Sequence, residues 1–390
     1  MYLDNASTSW PKPEVIVQQM NNYMNLIGAS PSRSGYKAAL KSEELVLEAR
    51  DNLSKLLCIK YPTQLIFTLN ATEAINTAIF GILNLGDHVI TTVIEHNSVL
   101  RPLWKLKENG FIDLTVVECD NTGLINHTEI ENSIKKNTKL IAINHVSNVT
   151  GTIQPVEKIG EISKRNNIPF LLDISQSAGH IPIDISKIRA DLVAFSGHKG
   201  LFGPTGTGAL YISPELSVSP LKVGGTGILS EILDQPEAMP NKYESGTINT
   251  VGIVGLGAGV NFLMETNLEK VAKHEKLLFD LLMKELSPLE NLTIYNNAFH
   301  NTGLFSFNIN NLLPGRIGYL LDTVYDIQVR TGLHCAPLIH NRIGSGTNGT
   351  VRISPGYFNT VDEIKGCIEA IVEIHNATAD VTALKIPIQQ

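Results

Sequence analysis

Short runs of apolar residues alternate with longer segments of helical spacing through the first two-thirds of the chain. Residues 65–68 (LIFT), 88–93 (HVITTV), 114–118 (LTVVE), 139–143 (KLIAI), 169–173 (PFLLD) and 191–195 (DLVAF) have the length and residue types of strands. Helical patterns near 72–83, 97–108 and 156–166 stand between them. Strands that are apolar along their whole length are buried on both faces. The pattern therefore predicts a parallel sheet covered by helices on either side.

Beyond about residue 250 the texture changes. Helical spacing dominates 251–287, and strands near 303–309 and 350–353 are interleaved with helices at 315–324 and 361–375. That pattern predicts a smaller α+β unit, with the boundary in the Gly-rich stretch 245–257. The division expected is a large unit over 16–250, and a small one made of 1–15 with 251–390. Residues 376–390 have weak periodicity and read as a loose tail.

Composition narrows the function classes. A net charge of −7 over 390 residues provides no basic field for nucleic acid or an anionic membrane. No apolar run reaches the roughly 18 residues of a membrane span. The first residues, MYLDNASTSWPKP, lack the basic and apolar regions of a signal peptide. Four cysteines in a chain of this length make no disulfide framework, and none has zinc-site spacing, so no metal is expected. A cytoplasmic location is the expectation.

In open α/β sheets, ligands bind beyond the carboxyl ends of the strands. After 65–68 comes Leu69-Asn70-Ala71-Thr72-Glu73, a helix start whose free N–H groups suit a phosphate, or simply a capped helix. Strand 169–173 ends in Asp173, followed by Ile174-Ser175-Gln176. Such a carboxylate can keep a pyridine nitrogen protonated, cap a helix or bind a metal. Strand 191–195 ends in Ser196-Gly197-His198-Lys199-Gly200. A lysine buried there has a lowered pKa and a nucleophilic amine, whereas one that snorkels outward has neither. After 139–143 a polar loop carries Asn148.

In this order, a phosphate turn, an Asn, Asp-x-x-Gln and Ser-x-His-Lys resemble the fold-type I pyridoxal-phosphate enzymes. More closely, the chain resembles the class V aminotransferase group and its cysteine desulfurases, from Tyr2-Leu3-Asp4-Asn5-Ala6 to about residue 375. The resemblance implies an α/β fold: a large domain with a mostly parallel seven-stranded sheet and a smaller C-terminal α+β domain. It implies pyridoxal 5'-phosphate on Lys199 as a Schiff base, with Ala71, Thr72, Ser196 and His198 at its phosphate. His96 would stack on the ring, and Asn148, Asp173 and Gln176 would surround it. Thr247, in Glu244-Ser245-Gly246-Thr247, would reach the phosphate of a neighbouring subunit, making the protein a homodimer. Arg352 would grip the substrate carboxylate, since a guanidinium fork suits that bidentate task. Asn148 and Arg330 complete the expected substrate contacts.

Cys335 narrows the reaction. It lies in Val329-Arg330-Thr331-Gly332-Leu333-His334-Cys335-Ala336-Pro337, bracketed by Gly332 and Pro337, and hence in a loop. Near Arg330 and His334 its thiol can be favoured as thiolate. The segment resembles the catalytic loop of the Suf-type, or group II, desulfurases. That implies conversion of cysteine to alanine with sulfur passed to Cys335 as a persulfide, then to a sulfur-acceptor protein, as in iron–sulfur cluster assembly. Selenocysteine lyase, a C–S lyase and a true aminotransferase are the neighbouring alternatives. A non-catalytic relative would have no use for Lys199, Asp173, Arg352 and Cys335 together. The chain departs from the group II pattern at Gly28–Tyr36, where Ser32, Ser34 and Tyr36 stand in place of expected histidines and Arg33 is retained. Cys58, Cys119 and Cys367 read as small buried hydrophobes, and His88, His145 and His180 as satisfied polar groups.

Overall fold

The computed structural model describes residues 1–31, 35–296 and 300–379. Ser32, Arg33 and Ser34, and the final residues of the expected tail, lie outside that range.

Seven strands form the larger sheet: β1 (Leu65–Thr68), β2 (Asp87–Thr92), β3 (Ile112–Val117), β4 (Thr138–Asn144), β5 (Phe170–Asp173), β6 (Leu192–Ser196) and β7 (Gly208–Ile212). Their order is β1-β7-β6-β5-β4-β2-β3. The pairs β3–β2, β2–β4, β4–β5 and β5–β6 are parallel, while β7 runs antiparallel to both β1 and β6. The mostly parallel sheet is as expected. Its seventh strand, the pentapeptide GALYI, is not among the sequence runs given above, because five residues opening on a glycine carry too little periodicity.

The continuous apolar runs are explained by two cores, one on each face. Successive strand residues point to opposite sides. Ile141, Ile143, Phe170, Leu172, Val193 and Phe195 join one cluster, and Leu140, Ala142, Leu171, Leu192 and Ala194 the other. The first face is covered by helices Lys37–Leu56 and Thr250–Thr266, and the second by helix Ala71–Ile82.

The segment 251–287 is two helices, Thr250–Thr266 and Leu268–Leu286, which meet at an angle of 82°. Asn267, with φ of 71°, makes the corner. A second sheet, of order β10-β11-β9-β8, is antiparallel throughout: β8 (Leu292–Ile294), β9 (Phe305–Ile309), β10 (Arg330–Gly332) and β11 (Thr350–Ile353). Its core gathers Phe305, Phe307, Val351 and Ile353 with Phe279 and Ile371, and takes in Leu3 from the start of the chain. Tyr2 bridges to Gln328 and Asp4 to Ser354, so the first residues run beside β11.

Cys119 and Cys367 are buried, but Cys58 is exposed. It follows the end of helix Lys37–Leu56 with a left-handed φ of 55°, which turns it away from the helix's apolar face. The expectation of a buried Cys58 is thus corrected.

Candidate active site

The carboxyl ends of β4, β5 and β6 open on a cavity of about 220 Å³. Of the expected catalytic, cofactor-binding and substrate-binding residues, all but Thr247 and Cys335 line it.

At one end is the start of helix Ala71–Ile82. Asn70 caps it, its side-chain oxygen accepting from the Glu73 N–H at 2.9 Å. Capping and ligand binding are compatible here. The Ala71 N–H donates to Ser196 Oγ at 3.0 Å, which ties the positive helix end to the tip of β6. Thr72 Oγ1 and Ser98 Oγ lie 2.8 Å apart. His198 stands beside them. Burial, with Lys199 and Lys12 nearby, lowers its pKa to about 4. Its buried Nδ1 has no hydrogen-bond partner among the described residues.

His96 caps helix Asn97–Glu108, its Nδ1 accepting from the Ser98 N–H at 3.0 Å. An accepting Nδ1 puts the ring proton on Nε2. Burial and the Lys199 charge lower its pKa to about 4, so at neutral pH the ring is flat and uncharged. Asp173 ends β5, with Oδ1 fixed by the Ser175 N–H at 2.8 Å and the Ser175 hydroxyl at 2.5 Å. Gln176 donates to the Ala6 carbonyl at 2.9 Å.

Lys199 follows the tip of β6, and its own carbonyl accepts from Ser9 Oγ at 2.8 Å. Burial lowers its pKa from 10.5 to about 8, against the opposing attraction of Asp173. Its amine therefore spends a large fraction of time neutral near pH 8, as a nucleophile or base must.

The opposite wall comes from the small sheet. Arg330 and Arg352 face each other directly across the β10–β11 ladder. Arg352 is 1% exposed. Its Nη1 donates to the Asn148 carbonyl at 2.8 Å, and its Nη2 to Asp4 Oδ1 at 2.8 Å. Its buried Nε has no partner among the described residues. Asn148 donates to the His334 carbonyl at 2.6 Å, and its buried Oδ1 has no partner among the described residues. Cys335 lies just off the cavity wall. Its sulfur accepts from Arg330 Nη2 at 3.3 Å, and its carbonyl from the Asn97 N–H at 2.7 Å. His334 and Cys335 have consecutive φ values of 50° and 60°, a bend that aims the thiol at Arg330.

Thr247 is exposed, in a loop moored by Glu244. The Glu244 carboxylate pairs with Arg50 at 2.9 and 3.0 Å and accepts from the Phe67 N–H at 2.7 Å. Tyr36 is 55% exposed.

Two buried groups were misjudged or missed from sequence. His88 and His180 are satisfied as expected, by threonine hydroxyls and by Glu275. His145 is not: its buried Nδ1 lacks a partner among the described residues, and burial lowers its pKa to about 4. Glu95, beside His96, is fully buried. Burial raises its pKa to about 8, with Thr92 Oγ1 donating to it at 2.6 Å. An acidic residue adjoining a histidine at a strand end was the available signal.

Residues 1–366 match the model of the aminotransferase class-V family. The chain belongs to that family. A probable cysteine desulfurase of Methanothermobacter thermautotrophicus is 36% identical over 96% of this chain and 94% of the relative. A cysteine desulfurase of Synechococcus elongatus is 32% identical, over 97% of this chain and 61% of its own length. Among solved structures, the apo cysteine desulfurase of Thermococcus onnurineus superposes with a TM-score of 0.90 at 32% identity, covering 97% of this chain and 95% of the other. One from Escherichia coli gives 0.87 at 26% identity, covering 96% and 94%.

This family depends on pyridoxal phosphate, and the cavity fits that cofactor. His198 Nδ1 and Asn148 Oδ1 are buried atoms in its wall with no partner of their own among the described residues. Such groups cost about 1–3 kcal/mol each unless a ligand completes them. The helix start at Ala71 and the Ser196 hydroxyl suit the phosphate, Asp173 the ring nitrogen, and the neutral His96 ring the apolar face.

Proposed function

We propose that this protein is a cysteine desulfurase that moves the sulfur of L-cysteine onto Cys335 and releases L-alanine. The observation that carries this reading is the Arg330–Cys335 contact at 3.3 Å, on the same two-stranded ladder as the buried Arg352 and facing Lys199. An aminotransferase needs no thiol there.

Pyridoxal phosphate, when bound, supplies the electron sink that stabilises charge on the substrate's Cα. The chain's own groups do the rest. Arg352 holds the substrate carboxylate. The neutral Lys199 amine, favoured by burial, takes the Cα proton on Nζ and returns a proton to the product. Asp173 keeps the ring nitrogen protonated. The Cys335 thiolate forms an S–S bond to the substrate sulfur as the Cβ–S bond breaks. That bond's electron pair stays on the carbon skeleton, which takes up protons and leaves as alanine. The enzyme then holds a persulfide, which a thiol of an acceptor protein discharges.

A homodimer is part of this reading. Thr247 lies off the cavity of its own chain on a loop moored by the Arg50–Glu244 pair, and in a dimer that loop would complete the neighbouring subunit's phosphate site.

The test is alanine and sulfide release from L-cysteine by wild type and Cys335→Ala. The expected result is loss of alanine formation by about two orders of magnitude or more in the variant, with the cofactor's visible absorbance unchanged. Full alanine release by Cys335→Ala would sink the persulfide route and point to a lyase. Selenocysteine, assayed alongside, ranks the two substrates.

A further inference from the structure

The segment Asp4–Lys12 touches the site on three sides. The Ala6 carbonyl receives Gln176. Thr8 Oγ1, Ser9 N–H and Lys12 Nζ converge on the His198 carbonyl at 3.0, 3.1 and 2.9 Å. On the far side, the Asn5 N–H donates to the Ser354 carbonyl at 3.1 Å. Ser7 is thus fixed from both ends, between the lysine loop and β11.

Its hydroxyl sits at a junction of charges. Arg330 and Arg352 are direct partners across an antiparallel ladder, where like charges repel. Ser7 Oγ accepts from Arg330 Nη1 at 3.0 Å and from Arg352 Nη2 at 3.1 Å, and donates to Asp4 Oδ1 at 2.9 Å. One donor and two lone pairs are all that a hydroxyl has, and all three are used. Asp4 Oδ1 also takes Arg352 Nη2 at 2.8 Å, so the carboxylate is shared between serine and arginine. Arg352 has further anchors in Asp4 and the Asn148 carbonyl. For Arg330 the side-chain contacts described are Ser7 and the Cys335 sulfur.

We propose that Ser7 is a positioning residue that separates the work of the two arginines. Asp4 and Asn148 keep Arg352 for the substrate carboxylate, and Ser7 turns Arg330 toward the Cys335 sulfur. The proposal rests on the desulfurase reading for its purpose but not for its geometry. Without the hydroxyl, Arg330 loses the contact that holds it, and the thiolate loses its counter-ion.

The experiment follows the rate of Cys335 alkylation by iodoacetamide at one fixed pH in the purified holoenzyme, read on the Cys335 peptide by mass spectrometry because Cys58 is exposed. In Ser7→Ala the rate is expected to fall about tenfold, because the guanidinium that contacts the sulfur is no longer held in place. Ser7→Thr, which keeps the hydroxyl, restores it. In steady-state assays with L-cysteine, Ser7→Ala is expected to lower kcat about tenfold and leave KM within about twofold, because Arg352 keeps its other anchors. An unchanged alkylation rate in Ser7→Ala, or a KM effect with kcat intact, overturns the proposal. Slowed alkylation in Ser7→Ala, with a wild type that makes no alanine, would instead uphold the positioning role and refute the desulfurase reading.

Discussion

The cofactor side and the thiol side of this site are built in opposite ways. Asn144, Asp173 and Ser196 end three adjacent strands of a parallel sheet buried on both faces. Lys199 follows within three residues, and each position is over-determined by core packing. The thiol side hangs on the three-residue strand β10, at the edge of its sheet, followed by two residues with left-handed φ. What holds it is mostly polar: Ser7, Asp4, Asn148 and the ladder to β11. Rigid strand ends suit a cofactor that stays bound. On the thiol side hydrogen bonds do that work: the His334 carbonyl accepts from Asn148, and the Cys335 carbonyl from the Asn97 N–H.

Four substitutions would break or sharpen this contrast. The largest effect is expected from Lys199→Ala, which should lower alanine formation by three or more orders of magnitude and leave Cys335 open to alkylation. A matching collapse of thiol reactivity would mean that the two sides are not separable. For the wild-type lysine, cofactor uptake by the apo-protein, followed by absorbance, should rise with pH and reach half its plateau near 8. A midpoint near 10.5 would show that burial has not lowered it.

Next come two glycines, one on each side. A Cβ on Gly179, whose φ is 86°, would lie 2.2 Å from the Gly200 backbone beside the lysine. On Gly349, with φ of 75°, it would lie 2.0 Å from the Gly332 carbonyl. Either alanine variant is expected to cost about 2–4 kcal/mol by thermal unfolding. Gly179→Ala should lose the cofactor's visible absorbance. Gly349→Ala should keep it while KM for cysteine rises. Identical spectra and kinetics in the two variants would erase the distinction.

The last test concerns Glu95 and is read in stability alone, with no effect on activity expected. Its carboxyl titrates at about 8 in the fold against 4.5 in a free chain. Between those values the native state holds a proton that the unfolded chain has lost. Stability therefore falls as pH rises from about 4.5 and levels off above 8, by a few kcal/mol in total. Glu95→Gln has no such slope. Thermal unfolding should find it near wild type at pH 5 and more stable at pH 8.5; parallel curves would refute the buried, protonated acid.

The same contrast explains what could be read from the sequence. Asp173 and Lys199 announce themselves because a polar residue at the end of an apolar strand must have a reason to be there. Cys335 was legible by its loop and its resemblance to a known one. Strand β7 was not, because five residues after a glycine turn carry too little periodicity. Asp4 and Ser7 were not assigned roles because their partners lie more than 320 residues away in the chain. The orphaned His145 nitrogen was invisible because burial of one ring atom has no signature in composition.

The strap that joins the first residues to β11 also bears on how the protein is made. Strands β1 to β7 have all their partners in the sheet once β7 has been made, near residue 212. Leu3 and Asp4 do not, because their partners Gln328, Arg352 and Ser354 are synthesised more than 300 residues later. At about 5–20 residues per second, that is a wait of roughly 15–70 s. Through that interval the arginine wall of the site does not yet exist, and the leading segment stays without its partners. Activity is therefore expected to lag behind formation of the large sheet during synthesis.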